Sequence, residues 1–454
     1  MTNIDYTPFT ARTGVAALGI WMREQGIWDM VEQYVAIRQK TVKHTPEEKL
    51  LDALINILSG GERVVEVNTR VRSDEGLQRA FGRKRCADQS GVSRTLDCCK
   101  EDNVDQLRTA MVEIYRAQSQ GYRHDYKEYQ VLDVDMTGLL AGRQAEGATK
   151  GYFSRQKGRR GRQLGRVTAT LYDEVVYQKL YDGKVQLDQC LQELVTAASD
   201  VLELERDGRR AHTVVRVDGG GGRDTDINWL LDEGYVLLAK AHNWQRCHKK
   251  ADTVDTWLFD LKEAGREAGW VTEPHPYNDS TRQVVVRKAK ANGEWQLSLL
   301  ITNLPATTLF ELAGLPVCEH PTPEELLWAF VYAYDKRSGG IETSFRQSKL
   351  GLRIHKRNKR RFAAQAMLVL LAELAQNLLV WFRRRLARWI SKWRDFGIKR
   401  FLRDVLTIPG RIILDSNATV RGCVFDERQP SAAHLAKAAL GLFSNDLTLS
   451  LRKI

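Results

Sequence analysis

The spacing of hydrophobic residues changes along the chain and predicts a helical region followed by a sheet-forming region. From about residue 8 to residue 122, apolar side chains recur every three or four positions, which is typical of amphipathic helices. Within this region, the segment Thr45–Leu58 begins with threonine, proline and two glutamates, which are signals of a helix start. From about residue 123, short β-branched runs replace this pattern, so we expect strands there.

The order of the segments after residue 123 predicts the fold class. Three strands, a helix, a fourth strand, a short helix and a fifth strand form the order of the ribonuclease H-like, or retroviral-integrase-like, α/β fold. The predicted strands are Glu128–Val134, Arg166–Tyr172, Val175–Leu180, Thr213–Val217 and Tyr235–Ala239, and the predicted helices are Leu187–Glu205 and Ile227–Glu233. A last helix over Ile341–Leu352 completes the expected fold.

The residues between the fifth predicted strand and this last helix predict a β-rich insertion. Arg282–Arg287 and Trp295–Thr302 have strand-like composition, and an Ala-Asn-Gly turn lies between them. We therefore predict a helical DNA-binding domain over 1–122, a catalytic domain in two parts over 123–241 and 329–385, a β-rich insertion over 242–328, and a basic α-helical C-terminal region over 386–454 for DNA contact or dimerisation.

The charge balance favours a polyanionic partner. Lys and Arg outnumber Asp and Glu by 69 to 57, which gives a formal net charge of +12 and favours nucleic acid. The apolar stretch Ala363–Phe382 is interrupted by polar residues, so we predict a buried helix and expect no membrane partner. The scattered cysteines and the lack of an export signal predict a cytoplasmic protein.

Three carboxylates are candidates for one catalytic site. Asp135 and Asp218 lie at the ends of predicted strands, and Glu342 opens the last helix. Two strand aspartates and a helical glutamate can hold two Mg²⁺ ions, with Mn²⁺ as a substitute, for cutting and joining phosphodiesters. Asp133 shares a strand face with Asp135 and competes for the same role. We favour Asp135 because it lies at the strand end, and we expect Asp133 to lie deeper.

Basic residues cluster at positions suited to phosphate contact. Arg346 and Lys349 share a predicted helix face with Glu342, although a surface ion pair has the same spacing. Clusters at 155–166, 353–361 and 382–400 are either DNA contacts or solvated faces. From these clusters we select Arg159, Arg160, Lys356 and Arg357 as candidate DNA contacts.

A possible helix-turn-helix lies in the N-terminal region. Ser73–Phe81 and Ser90–Cys99 have helical character, and the basic turn Gly82–Arg85 separates them. The second helix carries Arg94, which we select as a further candidate DNA contact. A plain helical bundle that packs on the catalytic domain is the alternative.

Several phrases resemble bacterial insertion-sequence transposases with a D-D-E triad, namely the IS-four superfamily and its IS-thirteen-eighty-like branch. The phrases are Leu132–Gly138 (LDVDMTG), Arg216–Gly222 (RVDGGGG), Ile301–Pro305 (ITNLP) and a signature of Tyr334, Arg337, Glu342 and Lys349. The resemblance implies that Tyr334 and Arg337 contact DNA. Four residues lie between Arg337 and Glu342, one more than the family pattern has, and the additional residue falls in a Gly-Gly turn.

The resemblance also implies a reaction and partners. Transposases of this kind cleave the ends of their element with water, and the freed 3′-OH attacks target DNA. The implied partners are double-stranded transposon ends, target DNA and a second copy of the chain in a dimer at the nucleoid. In some relatives a tryptophan of the insertion stacks on a flipped base, for which Trp295 and Trp270 are the candidates. A regulator that has lost catalysis and a nuclease without strand transfer are the competing interpretations.

Overall fold

The computed structural model describes residues 7–40, 43–153, 156, 158–443 and 447–454. The chain forms two compact units. One contains residues 1–119, 140–148 and 346–454, and the other contains residues 120–139 and 149–345. The predicted N-terminal and C-terminal segments therefore belong to one unit, which we call the helical unit. The predicted catalytic strands and the predicted insertion belong to the other, which we call the sheet unit.

The helices and strands are numbered along the whole chain. The helices are α1 (Thr13–Glu24), α2 (Ile27–Tyr34), α3 (Pro46–Leu58), α4 (Val67–Arg70), α5 (Glu75–Ala80), α6 (Gln89–Cys98), α7 (Glu101–Gln118), α8 (Leu191–Leu202), α9 (Asp224–Asp232), α10 (Trp244–Ala251), α11 (Ala306–Ala313), α12 (Pro323–Asp335), α13 (Ile341–Arg346), α14 (Phe362–Leu386), α15 (Ile398–Phe401) and α16 (Ala432–Leu440). The strands are β1 (Phe9–Thr10), β2 (Gln130–Leu140), β3 (Thr149–Lys150), β4 (Arg160–Ala169), β5 (Glu174–Asp182), β6 (Thr213–Val217), β7 (Val236–Lys240), β8 (Leu258–Phe259), β9 (Arg266–Trp270), β10 (Arg282–Ala289), β11 (Trp295–Thr302), β12 (Gly410–Leu414), β13 (Val420–Asp426) and β14 (Thr448–Arg452).

The sheet unit is built on one large mixed sheet, which confirms the α/β class. Its five predicted strands are β2, β4, β5, β6 and β7, and they lie in the order β5-β4-β2-β6-β7. The β2–β6 and β6–β7 pairs are parallel, whereas β4 and β5 are antiparallel. The second predicted strand begins earlier than expected and ends at Ala169, because residues Thr170–Tyr172 form a short 3-10 turn instead.

The predicted insertion continues this sheet instead of forming a sheet of its own. Strand β11 pairs antiparallel with β7, and β10, β9 and β8 follow outward. Val284 and Leu300 from these strands are buried in the same core as Val131 and Val214. The alternation of apolar and polar residues along a strand predicts which of its faces is buried. Which other strand it pairs with depends on residues that are distant in the sequence. For this reason the sequence alone did not predict the pairing of β11 with β7.

The long apolar helix α14 is the core of the helical unit. It is 25 residues long and apolar enough to cross a membrane, yet 94% of its most apolar window is buried inside the protein. Trp21 packs against Phe382 with ring centroids 5.8 Å apart, and Tyr115 packs against Trp381 at 6.2 Å. The predicted buried helix is therefore observed, and the helices at the N-terminal end of the chain cover it.

The predicted α-helical C-terminal region requires correction. Strands β12, β13 and β14 join β1 in a four-stranded sheet within the described part of the helical unit. Short β-branched runs at Arg411–Leu414 and Val420–Phe425 form two of these strands. The prediction of helix rested on the charged stretch 386–400, and it was extended over these strands although they lie further along the chain.

The predicted helix-turn-helix segments form α5 and α6, and an aspartate caps the N-terminal end of each helix. The Asp74 carboxylate accepts a hydrogen bond from the Leu77 N–H at 2.9 Å, and Asp88 accepts one from the Gly91 N–H at 2.6 Å. In the turn between the helices, Arg83 is only 4% exposed and pairs with the fully buried Asp52 at 2.9 Å. It also contacts Glu48. Arg83 thus fixes this turn to α3.

Arg83→Met tests this internal role. The substitution leaves Asp52 buried and unpaired, so we expect the free energy of unfolding to fall by about 3–5 kcal/mol. Arg85→Met is the matched control, because Arg85 is exposed in the same turn and its loss should change stability by less than about 0.5 kcal/mol. Urea denaturation followed by circular dichroism measures both. Equal effects of the two substitutions would contradict the assigned role of Arg83.

Candidate active site

The three candidate carboxylates lie on or directly after two adjacent strands and at the start of one helix. Asp135 lies in β2, Asp218 directly follows β6, and Glu342 lies in the first turn of α13. In the parallel β2–β6 pair, Val134 lies opposite Val217. The next residue of each strand is the candidate aspartate. The two carboxylates are therefore adjacent because of the strand register.

All three carboxylates surround the guanidinium of Arg337. Its Nη2 atom lies 2.7 Å from Oδ2 of Asp135 and 3.9 Å from Oδ2 of Asp218, and its Nη1 atom lies 3.5 Å from Oε1 of Glu342. The Arg337 side chain is 7% exposed, compared with 58% for Glu342. Arg337 was predicted as a DNA contact, but the structure places it among the acids.

The other oxygen atoms of the two aspartates are held by the backbone. Oδ1 of Asp135 accepts a hydrogen bond from its neighbour Met136 N–H at 2.7 Å, and Oδ1 of Asp218 accepts one from the Gly220 N–H at 2.8 Å. Both Oδ2 atoms consequently point to the position that Arg337 occupies. Burial and, to a smaller extent, the charge of Asp218 raise the pKa of Asp135 to about 6, although Arg337 opposes both effects.

Asp133 is a structural anchor. It is fully buried, and its Oδ1 and Oδ2 atoms pair with Nε and Nη2 of Arg216 at 2.5 Å and 3.0 Å. Its Oδ2 atom also accepts hydrogen bonds from the Thr170 hydroxyl at 2.7 Å and from the Ile341 N–H at 3.3 Å. The last contact attaches the start of α13 to β2. Asp133 thus lies deeper than Asp135, and its oxygen atoms are committed to internal partners.

The Gly-Gly turn before α13 allows this attachment. A Cβ atom on Gly340 would lie 2.1 Å from Oδ2 of Asp133, whereas one on Gly339 would meet nothing within 4 Å. Only glycine therefore lets the chain pass close enough for Ile341 to bond to Asp133. The additional residue that separates this chain from the family pattern falls in this turn.

A second buried arginine supports the same helix from the other side. Arg166 is fully buried, donates to Oε1 of Gln178 at 3.0 Å and 2.7 Å, and donates to the Ser344 hydroxyl at 2.9 Å. Its guanidinium also lies 4.6 Å from the ring centroid of Phe345. Arg166 was counted in a basic cluster directed at DNA, so sequence analysis missed this role. Because every residue of β4 after Arg160 is buried, alternation along this strand gives no signal that distinguishes Arg166.

The remaining candidate DNA contacts differ in their exposure. Arg94, Arg159, Arg346 and Lys356 are exposed, and Arg160, Tyr334 and Lys349 are partly buried. Arg155 and Lys157 of the first basic cluster lie outside the described residues.

Two of the candidate DNA contacts, Arg357 and Tyr334, pack within their own units. Arg357 is 3% exposed and donates to the carbonyls of Leu352 and Gly61. Its burial lowers the pKa of this guanidinium to about 9. The assignment of Arg357 to DNA contact is therefore corrected. Tyr334 packs against the hydrophobic core of the sheet unit, and burial raises its pKa.

The two candidate stacking tryptophans lie in different environments. Trp270 is partly buried, donates from its Nε1 atom to the Pro323 carbonyl at 2.9 Å and packs against Phe330 at the edge of the core. Trp295 is 40% exposed. It lines a groove of about 710 Å³ with Trp257 and Arg287. The Arg287 guanidinium lies 3.9 Å from the Trp257 ring and 4.6 Å from the Trp295 ring.

A mixed sheet that brings an aspartate within one strand, an aspartate directly after the adjacent strand and a helical glutamate to one point is typical of DDE-type enzymes. The chain belongs to the family described as Transposase DDE domain group 1, which matches residues 5–421. It is therefore a DDE transposase, an enzyme that cuts and joins DNA with divalent metal ions.

Comparison with other proteins adds one similar structure. The chain is similar to a piggyBac transposase in a synaptic complex with hairpin DNA. The identity is 12%, the match covers 98% of this chain and 86% of that chain, and the TM-score is 0.45. No curated protein matches the chain.

Gly340→Ala tests the attachment of α13 to β2. The new methyl group overlaps Asp133 Oδ2, so we expect the free energy of unfolding to fall by about 1–3 kcal/mol and end cleavage to fall with it. Gly339→Ala is the control, because its methyl group meets open space and should leave both properties unchanged. Thermal unfolding and a cleavage assay measure the pair. A stable and fully active Gly340→Ala variant would contradict this account of the turn.

Proposed function

We propose that the chain is the transposase of a bacterial insertion sequence of the IS-four superfamily, in its IS-thirteen-eighty-like branch. It binds the terminal inverted repeats of its element, cleaves the ends and transfers the freed strands to target DNA. The convergence of Asp135, Asp218 and Glu342 on one buried cation position carries this proposal. The strand order β5-β4-β2-β6-β7 supports a ribonuclease H-like catalytic domain.

The donor set fits divalent metal ions. Within the described residues, no three acidic, His or Cys side chains converge tightly enough to ligate one ion as they stand, because all three acids face Arg337. Their oxygen atoms are nevertheless the hard ligands that Mg²⁺ and Mn²⁺ prefer. Asp135, Asp218 and Glu342 would hold the ions. Bound there, the two ions would activate the attacking oxygen and stabilise the leaving oxygen.

Contacts within the chain position the three acids for this mechanism. Register between β2 and β6 sets the spacing of the two aspartates, and the Asp133 contact to Ile341 sets the position of Glu342. Exposed cations, including Arg159 and Lys356, would contact the DNA phosphates. We also propose that two copies act together, since the two ends of the element must be held together during transposition, and that they work at the nucleoid.

Asn and Gln substitutions test the three acids. We expect Asp135→Asn, Asp218→Asn and Glu342→Gln each to reduce end cleavage by about 10³-fold or more and to leave binding of the inverted repeat unchanged. Glu324→Gln is the control, because Glu324 is an exposed acid in α12 of the same unit. Gel-based cleavage of a labelled repeat with Mg²⁺, and a mobility-shift assay, measure the two properties.

The outcomes also separate the competing functions. Normal cleavage by any of the three variants would remove that residue from the site. Binding without cleavage by the unaltered protein would favour a regulator. Cleavage without the joining of a pre-cleaved end to plasmid DNA would favour a nuclease.

Trp295→Ala tests base stacking in the groove. We propose that the exposed Trp295 ring stacks on a flipped base, a contact worth about 1–3 kcal/mol. The substitution should abolish the fluorescence rise of 2-aminopurine placed at the cleaved end, while the protein remains stable. Trp270→Ala should instead lower the free energy of unfolding by about 1–3 kcal/mol, since the partly buried Trp270 packs against the core. An unchanged fluorescence signal in Trp295→Ala would exclude this role.

A further inference from the structure

Arg337 occupies the point on which the candidate metal ligands converge. It lies in the turn Lys336–Gly339, between the end of α12 and the start of α13. Its guanidinium contacts one oxygen of each acid, namely Asp135 Oδ2, Asp218 Oδ2 and Glu342 Oε1. A cation is thus already present within the protein at the centre of the acidic cluster.

The contacts of Arg337 Nη2 with Asp135 and Asp218 are electrostatic and poorly directed. Among the described residues, Nε and Nη2 of Arg337 are buried without an aligned hydrogen-bond partner. The 2.7 Å approach of Nη2 to Asp135 is consequently an ion pair and not a well-formed hydrogen bond. A bidentate guanidinium–carboxylate pair would be harder to displace. The pairs of Asp133 with Arg216, at 2.5 Å and 3.0 Å in the same unit, are of that stronger kind.

In both aspartates, the Oδ2 atom is the carboxylate oxygen that would contact a cation at this position. Their Oδ1 atoms accept backbone hydrogen bonds from Met136 and Gly220. The Oδ2 atom of each aspartate is the oxygen next to Arg337. A divalent ion that takes these oxygen atoms must therefore take them from the guanidinium.

We infer that Arg337 is an internal competitor of the divalent ions. Its charge neutralises the acidic cluster when the ions are removed, and it must withdraw before the carboxylates can ligate them. Metal entry is thereby coupled to movement of the turn before α13. Gly339 and Lys336 are exposed in this turn, and a side chain on Gly339 would meet nothing within 4 Å. The inference rests on the proposed function, because it takes the three acids as metal ligands.

Titration of Mn²⁺ into chelator-treated protein without DNA tests the competition. We expect Arg337→Gln to bind Mn²⁺ at least about tenfold more tightly than the unaltered protein, because one opposing positive charge is gone. Without metal, its melting temperature should fall, since three acids then face each other. The rise in melting temperature on adding Mn²⁺ should be larger than in the unaltered protein.

Two variants distinguish displacement from a general charge effect. Lys336→Gln removes the same charge from the adjacent exposed residue, and it should leave Mn²⁺ affinity within about twofold. Arg337→Lys keeps the charge but cannot span three carboxylates, and its affinity should lie between those of the unaltered protein and Arg337→Gln. Equal tightening by Lys336→Gln and Arg337→Gln, or no tightening by Arg337→Gln, would overturn the inference.

A measurement on the unaltered protein avoids any failure of a variant to fold. In protein labelled with ¹⁵N-arginine, the Arg337 Nε–H resonance, assigned by its loss in Arg337→Lys, should shift as Mg²⁺ is added. A resonance that stays fixed while Mg²⁺ binds would contradict displacement. If neither Mg²⁺ nor Mn²⁺ binds, and Asp135→Asn behaves like the unaltered protein, the proposed function fails instead.

Discussion

The buried pair of Asp133 and Arg216 is the interaction on which the candidate site depends. The two residues lie opposite each other in the parallel β2–β6 register, and both are nearly inaccessible to solvent. Loss of one partner would leave a buried charge without compensation, which typically costs about 3–5 kcal/mol. The same aspartate accepts hydrogen bonds from Thr170 and from Ile341, so one carboxylate joins β2, β6, the turn after β4 and the start of α13. Each candidate ligand lies one or two residues from a point of this network.

In this arrangement, the residues that stabilise the site are different from the residues proposed to take part in the reaction. Asp133 and Asp135 are neighbours on one strand, but Asp133 is committed to internal donors while Asp135 is directed outward to a cation. The separation matters because a carboxylate that must release one cation and accept another cannot also be a fixed support. Arg216 and Arg337 divide the positive charge in the same way. Arg216 is bound bidentately, and it also donates to the Ala333 carbonyl at 2.9 Å, whereas Arg337 is held mainly by charge.

The sequence predicted the elements that carry the acids because each depends on local periodicity. The strand Thr213–Val217 follows from its β-branched pattern, and Asp133 lies deeper than Asp135 as expected. The predicted strand end at Asp135 was wrong, because β2 continues to Leu140 and only its pairing with β6 ends at Val134. The partners of Arg337, Arg357 and Trp270 were beyond such reasoning. Arg357 was interpreted as a DNA contact because it lies in a basic cluster, and the roles of Arg337 and Trp270 came from the family resemblance. The surroundings of all three include segments distant in the chain. The pairing of β11 with β7 escaped prediction for the same reason.

The internal use of arginine also changes what the net charge of +12 means. A surplus of positive charge favours DNA only to the extent that the cations face solvent. Arg83, Arg216 and Arg337 are neutralised by buried or partly buried acids, and Arg166 and Arg357 are enclosed by polar groups of their own units. The candidate DNA contacts that remain are therefore exposed residues such as Arg94, Arg159 and Lys356. The basic composition of this chain thus combines two functions, since one set of cations maintains the acidic site and a different set remains available to phosphate.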